Sequence, residues 1–293
     1  MKQSIISGLI TVISWFSLRL SRNLGRAIGR AANAMNLNIM KVSRRNIGLC
    51  RPDLTQDERE ALCKQSVQET CALALETCVV WRRDQHWLNK TIENIYGEEL
   101  LHEAIEKKQG LIVLGPHIGN WEVLGRCLPA YGHIVSLYAP PKKKDMEKFV
   151  KEAREHSGAT LVPTNSRGIA RILKHLKSGG ITGILPDQVP PPTGGAHAPF
   201  YGISALTMTL VHGLYQRTSC AILMGAALRT NAGFNLHFMK PDEAIFSTEL
   251  EDSLTGLNRS VENIITLAPE QYQWEYKRFK KQADKTSYYS DLV

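Results

Sequence analysis

GLIVLGPHIGNWEVLG, residues Gly110 to Gly125, passes from one kind of secondary structure to another. Leu111-Ile112-Val113-Leu114 is a short apolar run, β-branched at its centre and bounded by Gly110 and Gly115-Pro116. Such a run is a buried strand. After the turn come His117-Ile118-Gly119-Asn120-Trp121-Glu122 and then the helix-compatible Val123-Leu124. An imidazole and a carboxylate, His117 and Glu122, therefore fall where strand gives way to helix. Open α/β sheets place their chemistry at such strand ends, with N–H groups of the following helix nearby. A histidine backed by a carboxylate turns a hydroxyl into a nucleophile: the imidazole takes the proton, and the carboxylate fixes the tautomer and steadies the imidazolium. A lone H-x4-E is weakly specific, since a histidine near a strand end is commonly only packed or solvated. The strand, the Gly-Pro turn and the Gly-Asn frame single this one out. Zinc would need further ligands at metal spacing. None stands nearby, so neither metal nor cofactor is expected.

Working outward, strands and helices alternate from Gly110 onward. Strands are predicted at 133–138, 159–162, 181–185, 220–228 and 233–239, the last two as an antiparallel hairpin over Thr230-Asn231-Ala232. Helices are predicted at 120–130, 143–157, 168–178, 203–217 and 250–267. This is α/β layering: a mixed, largely parallel central sheet flanked by helices. Upstream, Thr55-Gln56-Asp57-Glu58 is a capping-box start for a helix running to about Trp81. The tail after Lys281 is polar and expected to be loose. Six cysteines show no C-x-x-C pair and no compact framework, which fits buried free thiols in a reducing compartment.

The net charge of +8 has an address. Residues 1–50 hold Lys2, Arg19, Arg22, Arg26, Arg30, Lys41, Arg44 and Arg45 with no acid, and the rest of the chain balances. A basic arm suits an anionic membrane or nucleic acid, and its pattern chooses the membrane. Ile5 to Leu18 is uncharged and mostly apolar, with Trp15 and Phe16 near its end, but shorter than the ~20 residues of a spanning helix. Beyond it Arg19, Arg22, Arg26 and Arg30 recur at helical spacing, with Leu20, Leu24, Ile28 and Ala31 on another face. That is an interfacial amphipathic helix. A cleaved signal peptide is the rival, and arginines directly after the apolar stretch speak against it. The division expected is a basic membrane-anchoring segment at 1–48, an α/β domain at 49–281 and a polar tail at 282–293.

HIGNWE, followed in order by Leu185-Pro186-Asp187-Gln188, Pro199-Phe200-Tyr201-Gly202 and Pro269-Glu270-Gln271-Tyr272-Gln273-Trp274, resembles the lipid A late (secondary) acyltransferases. These bacterial enzymes are similar to the glycerol-phosphate acyltransferases with H-x4-D/E signatures. The resemblance runs from the N-terminal apolar segment to about Lys281. It implies transfer of a fatty acyl chain from acyl carrier protein to a hydroxyacyl group of a lipid A precursor, at the cytoplasmic face of the bacterial inner membrane. It implies His117 as general base and Glu122 as the group that orients it. Asn120, Arg154, Arg167 and Asp187 are the expected substrate-binding residues. Asp187 follows a strand as His117 does, though a loop hydrogen bond would explain it equally. The arginines are ordinarily solvated surface groups, and the family match gives them a phosphate-binding role that a planar guanidinium suits. Backbone N–H groups near Gly119-Asn120 are candidate oxyanion donors. Lys142-Lys143-Lys144 is either a solvated helix start or a dock for the acidic carrier protein. The partners expected are thus the carrier thioester, the glycolipid acceptor and an anionic membrane, with no nucleic acid. Two alternatives stand beside this: an acyltransferase of the same signature acting on glycerol phosphate or another glycolipid, and a non-catalytic membrane adaptor.

Overall fold

A computed structural model describes residues 2–138 and 158–292, with side chains from residue 8 onward. Helices α1 (Lys2–Ile13), α2 (Leu18–Ala34) and α3 (Asn38–Cys50) lead to the long α4 (Gln56–Arg82) and the short α5 (Gln85–Thr91). The α/β region then runs β1 (Ile92–Tyr96), α6 (Glu98–Glu106), β2 (Leu111–Leu114), α7 (Trp121–Cys127), β3 (Val135–Tyr138), β4 (Thr160–Pro163), α8 (Ser166–Lys177) and β5 (Ile181–Ile184). A hairpin of β6 (Gly195–Phe200) and β7 (Ile203–Met208) precedes α9 (Leu210–Thr218), β8 (Ala221–Arg229), β9 (Phe234–Met239) and α10 (Leu250–Ile265).

The sheet has the order β1-β9-β8-β2-β5, parallel throughout except for the β8–β9 hairpin. A bridge between Ile134 and Ile181 attaches the parallel pair β3–β4 beyond β5. All four residues of β2 are buried, as a strand covered on both faces requires. One core cluster, with Ile112, Leu114, Ile222, Met224 and Ile264, lies on one side of the sheet. The other, with Val113, Leu124, Leu223, Phe234 and Leu236, lies on the opposite side. The alternation of β2 residues between them follows from the period of two along a strand.

The expected strands of the sheet are all present, and α4 starts on the capping box, with Thr55 Oγ1 accepting from Glu58 N and Glu58 Oε2 accepting from Thr55 N. The helix predicted at 203–217 is half wrong. Residues Ile203–Met208 form β7, paired in register with β6 from Phe200↔Ile203 to Gly195↔Met208, and the helix begins only at Leu210. The turn between them puts Tyr201 and Gly202 at φ +50° and +75°, the left-handed pair a two-residue hairpin needs. The tail is not loose either. Tyr289 is buried; its hydroxyl donates to Asn46 Oδ1 (2.6 Å) and accepts from Phe279 N (3.1 Å), fastening the chain end to α3. Five of the six cysteines are buried and the sixth, Cys71, half-buried, all of them free. Burial pushes the Cys127 thiol up to about 12 and Cys63 to about 11, so these thiols stay protonated. The helix expected at 143–157, with Lys142, Lys143, Lys144 and Arg154, lies outside the described residues.

No helix among the described residues is long and apolar enough to cross a membrane. α2 instead lies along α4, and it does so with its small side. Its buried residues are Leu18, Ser21, Arg22, Gly25, Gly29 and Ala32. A Cβ on Gly25 would stand 2.4 Å from Ala72 Cα, and one on Gly29 2.5 Å from Gln68 Cα. The backbones therefore approach as only glycine allows. Leu20, Leu24 and Ile28 face outward instead, 45%, 40% and 53% exposed.

Candidate active site

Strand register builds the site. β2 and β5 are parallel neighbours with Leu114 opposite Ile184. Each strand is followed by a residue, a proline, and then a polar group: Gly115-Pro116-His117 and Leu185-Pro186-Asp187. Proline lacks the N–H that would continue a ladder, so both chains leave the sheet at the same level, three residues past aligned positions. His117 and Asp187 consequently meet. His117 Nδ1 lies 2.7 Å from Asp187 Oδ1, and the His117 backbone N–H donates to Asp187 Oδ2 at 2.9 Å. Burial by itself would raise the Asp187 carboxyl; the electrostatic pull of His117 and the hydrogen bonds from its ring and backbone N–H outweigh it and hold the group below its ordinary value. With an ionised acceptor at Nδ1, that nitrogen carries the proton and Nε2 presents its lone pair. The imidazole is nearly buried, its side chain 12% exposed, with the Trp121 ring edge-on at 4.7 Å between centroids.

The carboxylate at the imidazole is thus Asp187, where the sequence pointed to Glu122. The reason is local. Gly119 adopts φ +61° and reverses the chain, and a Cβ there would sit 2.1 Å from Ala227 O. His117 precedes that reversal while Glu122 is the second residue of α7, so the H-x4-E spacing is not a helical spacing. Glu122 is buried and lies along the wall of a cavity of about 700 Å³, counting its open mouth. Val113, Leu124, Ile134, Leu137, Ile184 and Leu185 make the cavity mostly apolar, and Trp121 stands between it and His117.

The loop from His117 to Asn120 has few loose ends. His117 O accepts from Gln273 N (3.0 Å), Gly119 N donates to Gln271 O (3.1 Å), and Asn120 N donates to Ala227 O (2.8 Å). The Gly119 and Asn120 N–H groups, expected as oxyanion donors, are therefore already committed inside the protein. Asn120 itself is fully buried and caps α7: its Oδ1 accepts from Val123 N (3.2 Å) and its Nδ2 donates to Glu76 Oε1 (3.0 Å). It supports the loop rather than facing a ligand. Arg167 is exposed on the first turn of α8, whose N-cap Asn165 accepts from Arg167 N (3.1 Å); no contact among the described residues ties its side chain to His117 or Asp187. Arg154 lies outside the described residues.

Sequence reasoning passed over Gln271, Gln273, Glu76 and Arg229. The first two stood in the PEQYQW block with no role attached, and they turn out to strap the His117 loop. Tyr276, a little further on, takes the Val189 N–H on its hydroxyl (2.9 Å) and so holds the Asp187 loop as well. Glu76 had a readable signal: Leu73, Val79 and Val80 surround it at helical spacing, so a lone acid sits on a core face. Nothing in the sequence marked Arg229.

A histidine–aspartate pair at the ends of neighbouring parallel strands, with an apolar cavity alongside and no partner on Nε2 among the described residues, could serve an enzyme that activates a hydroxyl against an acyl group. The comparison with known proteins is specific about which. A model of the bacterial lipid A biosynthesis acyltransferase family matches residues 2–281, and the chain belongs to that family. It is 25% identical over 259 residues to the lipid A biosynthesis palmitoleoyltransferase of Escherichia coli K12, covering 88% of this chain and 84% of that one. It is 23% identical over 264 residues to the lauroyltransferase of the same organism, again 88% and 84%. A lipid A biosynthesis acyltransferase of Haemophilus influenzae is 22% identical over 274 residues, covering 90% and 85%.

Proposed function

We propose that this protein transfers a fatty acyl chain from the thioester of acyl carrier protein to a hydroxyacyl group of a lipid A precursor, at the cytoplasmic face of a bacterial inner membrane. The observation that carries the proposal is the His117–Asp187 pair beside the apolar cavity, in a chain of this family. His117 Nε2 takes the proton of the acceptor hydroxyl while that oxygen attacks the thioester carbonyl. The C–O bond forms, the C–S bond breaks, and the departing thiolate takes the proton back from the imidazolium. Asp187 holds the ring and steadies its charge throughout, as the carboxylate of a His-dependent hydrolase does. The cavity takes the alkyl chain of the donor. Glu122, in its wall, is proposed as a second carboxylate of the site. Arg154 and Arg167 are proposed to hold the phosphates of the acceptor.

Membrane attachment is supported by the outward face of the N-terminal helices. Leu9, Val12, Trp15, Leu20, Leu24 and Ile28 are all exposed, Trp15 by 69%, with Arg19 and Arg30 exposed among them. Exposed apolar side chains bordered by cations suit the interface of an anionic bilayer.

The test is transfer of a labelled acyl group from carrier protein to a lipid A precursor. His117→Ala and Asp187→Asn should each lower kcat by roughly 10²–10⁴ with the fold intact, and the two losses should not add. Near-normal turnover by His117→Ala would remove the proposal. Glu122→Gln at wild-type rate would leave Asp187 as the sole carboxylate serving the histidine.

A further inference from the structure

Helix α2 reaches the site through a buried chain of charges. Arg22 is 2% exposed and Glu76, on α4, is 0%. Arg22 Nε donates to Glu76 Oε2 at 2.6 Å, while its two terminal nitrogens donate to Thr230 O (2.7 Å) and Gly233 O (3.0 Å) in the β8–β9 turn. The other Glu76 oxygen accepts from Asn120 Nδ2 (3.0 Å) and from Arg229 Nη1 (3.3 Å). That same Arg229 nitrogen donates to Gly119 O at 2.9 Å. Arg229 Nε and Arg26 Nε converge on the Glu69 carboxylate, at 2.9 and 2.7 Å. The links join helix α2, helix α4, the end of β8 with its turn, and the two residues that follow His117-Ile118.

Buried charge networks are poor devices for stability, because desolvation offsets most of the attraction and apolar packing of the same volume does as well or better. They do fix geometry. Glycine contacts already seat α2 on α4, and the charges add a defined position for the Gly119–Asn120 backbone. We infer that Arg22, Glu76 and Arg229 are positioning residues for His117, and that α2 belongs to the catalytic unit as well as to the membrane-facing surface. Removing residues 1–30 therefore does more than strip a membrane-facing surface from the protein. With Arg22 in the network, that removal takes away a support of the histidine loop and leaves Glu76 with one guanidinium fewer. The inference rests on the acyl transfer proposed for His117.

The experiment uses the full chain, with acceptor and carrier thioester in detergent micelles so that membrane seating is held constant. Glu76→Gln and Arg22→Met should lower kcat tenfold or more, with KM for both substrates within about twofold and near-UV circular dichroism unchanged. Arg22→Lys, which keeps the charge but loses the fork to Thr230 and Gly233, should recover part of the loss. Arg44→Met, breaking the exposed Arg44–Glu60 pair, should leave kcat alone. A second readout needs no activity: the downfield Nδ1 proton resonance of His117, assigned by its absence from His117→Ala, should broaden or vanish in Glu76→Gln. Folded variants with wild-type kcat and an unchanged resonance would overturn the inference. So would a loss that disappears when activity is expressed per folded molecule. If Glu76→Gln does not fold, Arg22→Lys decides the matter on the same two readouts. Should wild type and His117→Ala prove equally inactive, acyl transfer at His117 is lost, and the resonance alone still decides whether the network positions the ring.

Discussion

Helices α2 and α8 look alike on paper and are used in opposite ways. Both are basic, both carry aliphatic residues at helical spacing, and both have glycine on one side. α8 is conventional: Gly168, Ile172 and Leu176 are buried, and Arg171, Lys174 and Lys177 face outward. α2 is inverted, with glycines, a serine and an arginine inside and Leu20, Leu24 and Ile28 outside. An amphipathic pattern states that a helix has two faces; it does not state which face meets the protein. Glycine and alanine recurring along α2 are the feature that tells, because small residues let two backbones close while large apolar ones would hold them apart.

Stability should separate the two helices most sharply. Ile172→Ala in α8 removes a fully buried side chain and should cost about 2–5 kcal/mol. Leu24→Ala in α2 should stay within about 0.5 kcal/mol, both read from denaturant midpoints. Equal costs would mean that the outward face of α2 is covered in the free protein. Membrane partition should reverse that order. Leu24→Ser with Ile28→Ser should weaken binding to anionic vesicles by roughly tenfold or more, given the apolar area withdrawn from the acyl boundary, whereas Arg171→Gln with Lys174→Gln should change it little. Comparable losses from both pairs would reduce the attachment to charge alone.

Glycines extend the contrast on a smaller scale. A Cβ at Gly25 collides with the backbone of α4, while one at Gly125, on the cavity wall, meets nothing within 4 Å. Gly25→Ala should therefore destabilise the protein. Gly125→Leu should be tolerated and instead shift donor preference towards shorter acyl chains, by about tenfold on the scale of a filled apolar site. An unchanged preference would place the alkyl chain elsewhere. Protonation gives the smallest effect. The Asp187 carboxyl is held below its ordinary value, so its contribution to stability is present above about pH 4 and lost as pH falls through the folded value. Asp187→Asn should flatten the stability curve below about pH 4, and thermal unfolding across pH 2–6 would show it. A curve of wild-type shape would mean the pair contributes nothing to folding.

Local signals carried most of the fold. The buried β2, the capping box of α4 and the β8–β9 hairpin each rest on neighbouring residues, and each stands where expected. Three kinds of information escaped. The β6–β7 hairpin turns on Tyr201-Gly202, which lacks the Asn-Gly or Asp-Gly that usually advertises such a turn, so Ile203–Met208 passed for the start of a helix. The His117–Asp187 pair joins residues seventy positions apart, and only strand register brings them together. Its trace was nonetheless present, in two apolar runs each followed by a residue, a proline and a polar group. Proximity along the chain gave Glu122 the place that alignment between strands gives to Asp187. Arg22 escaped for another reason: its spacing matches the surface arginines around it, and only the packing of α2 turns it inward.

The strap from Gln271 to Tyr276 has a consequence for how the enzyme comes into being. On the ribosome α1 and α2 emerge ahead of the sheet, and the surface proposed for lipid is available while most of the sheet is still unmade. His117 and Asp187 follow, but Gln271 and Gln273, which bind the histidine loop, are synthesised later still. If the proposed attachment holds, a nascent chain meets a membrane long before it can react there. A fragment ending before Gln271 would carry the histidine, the aspartate and the cavity, and still be silent.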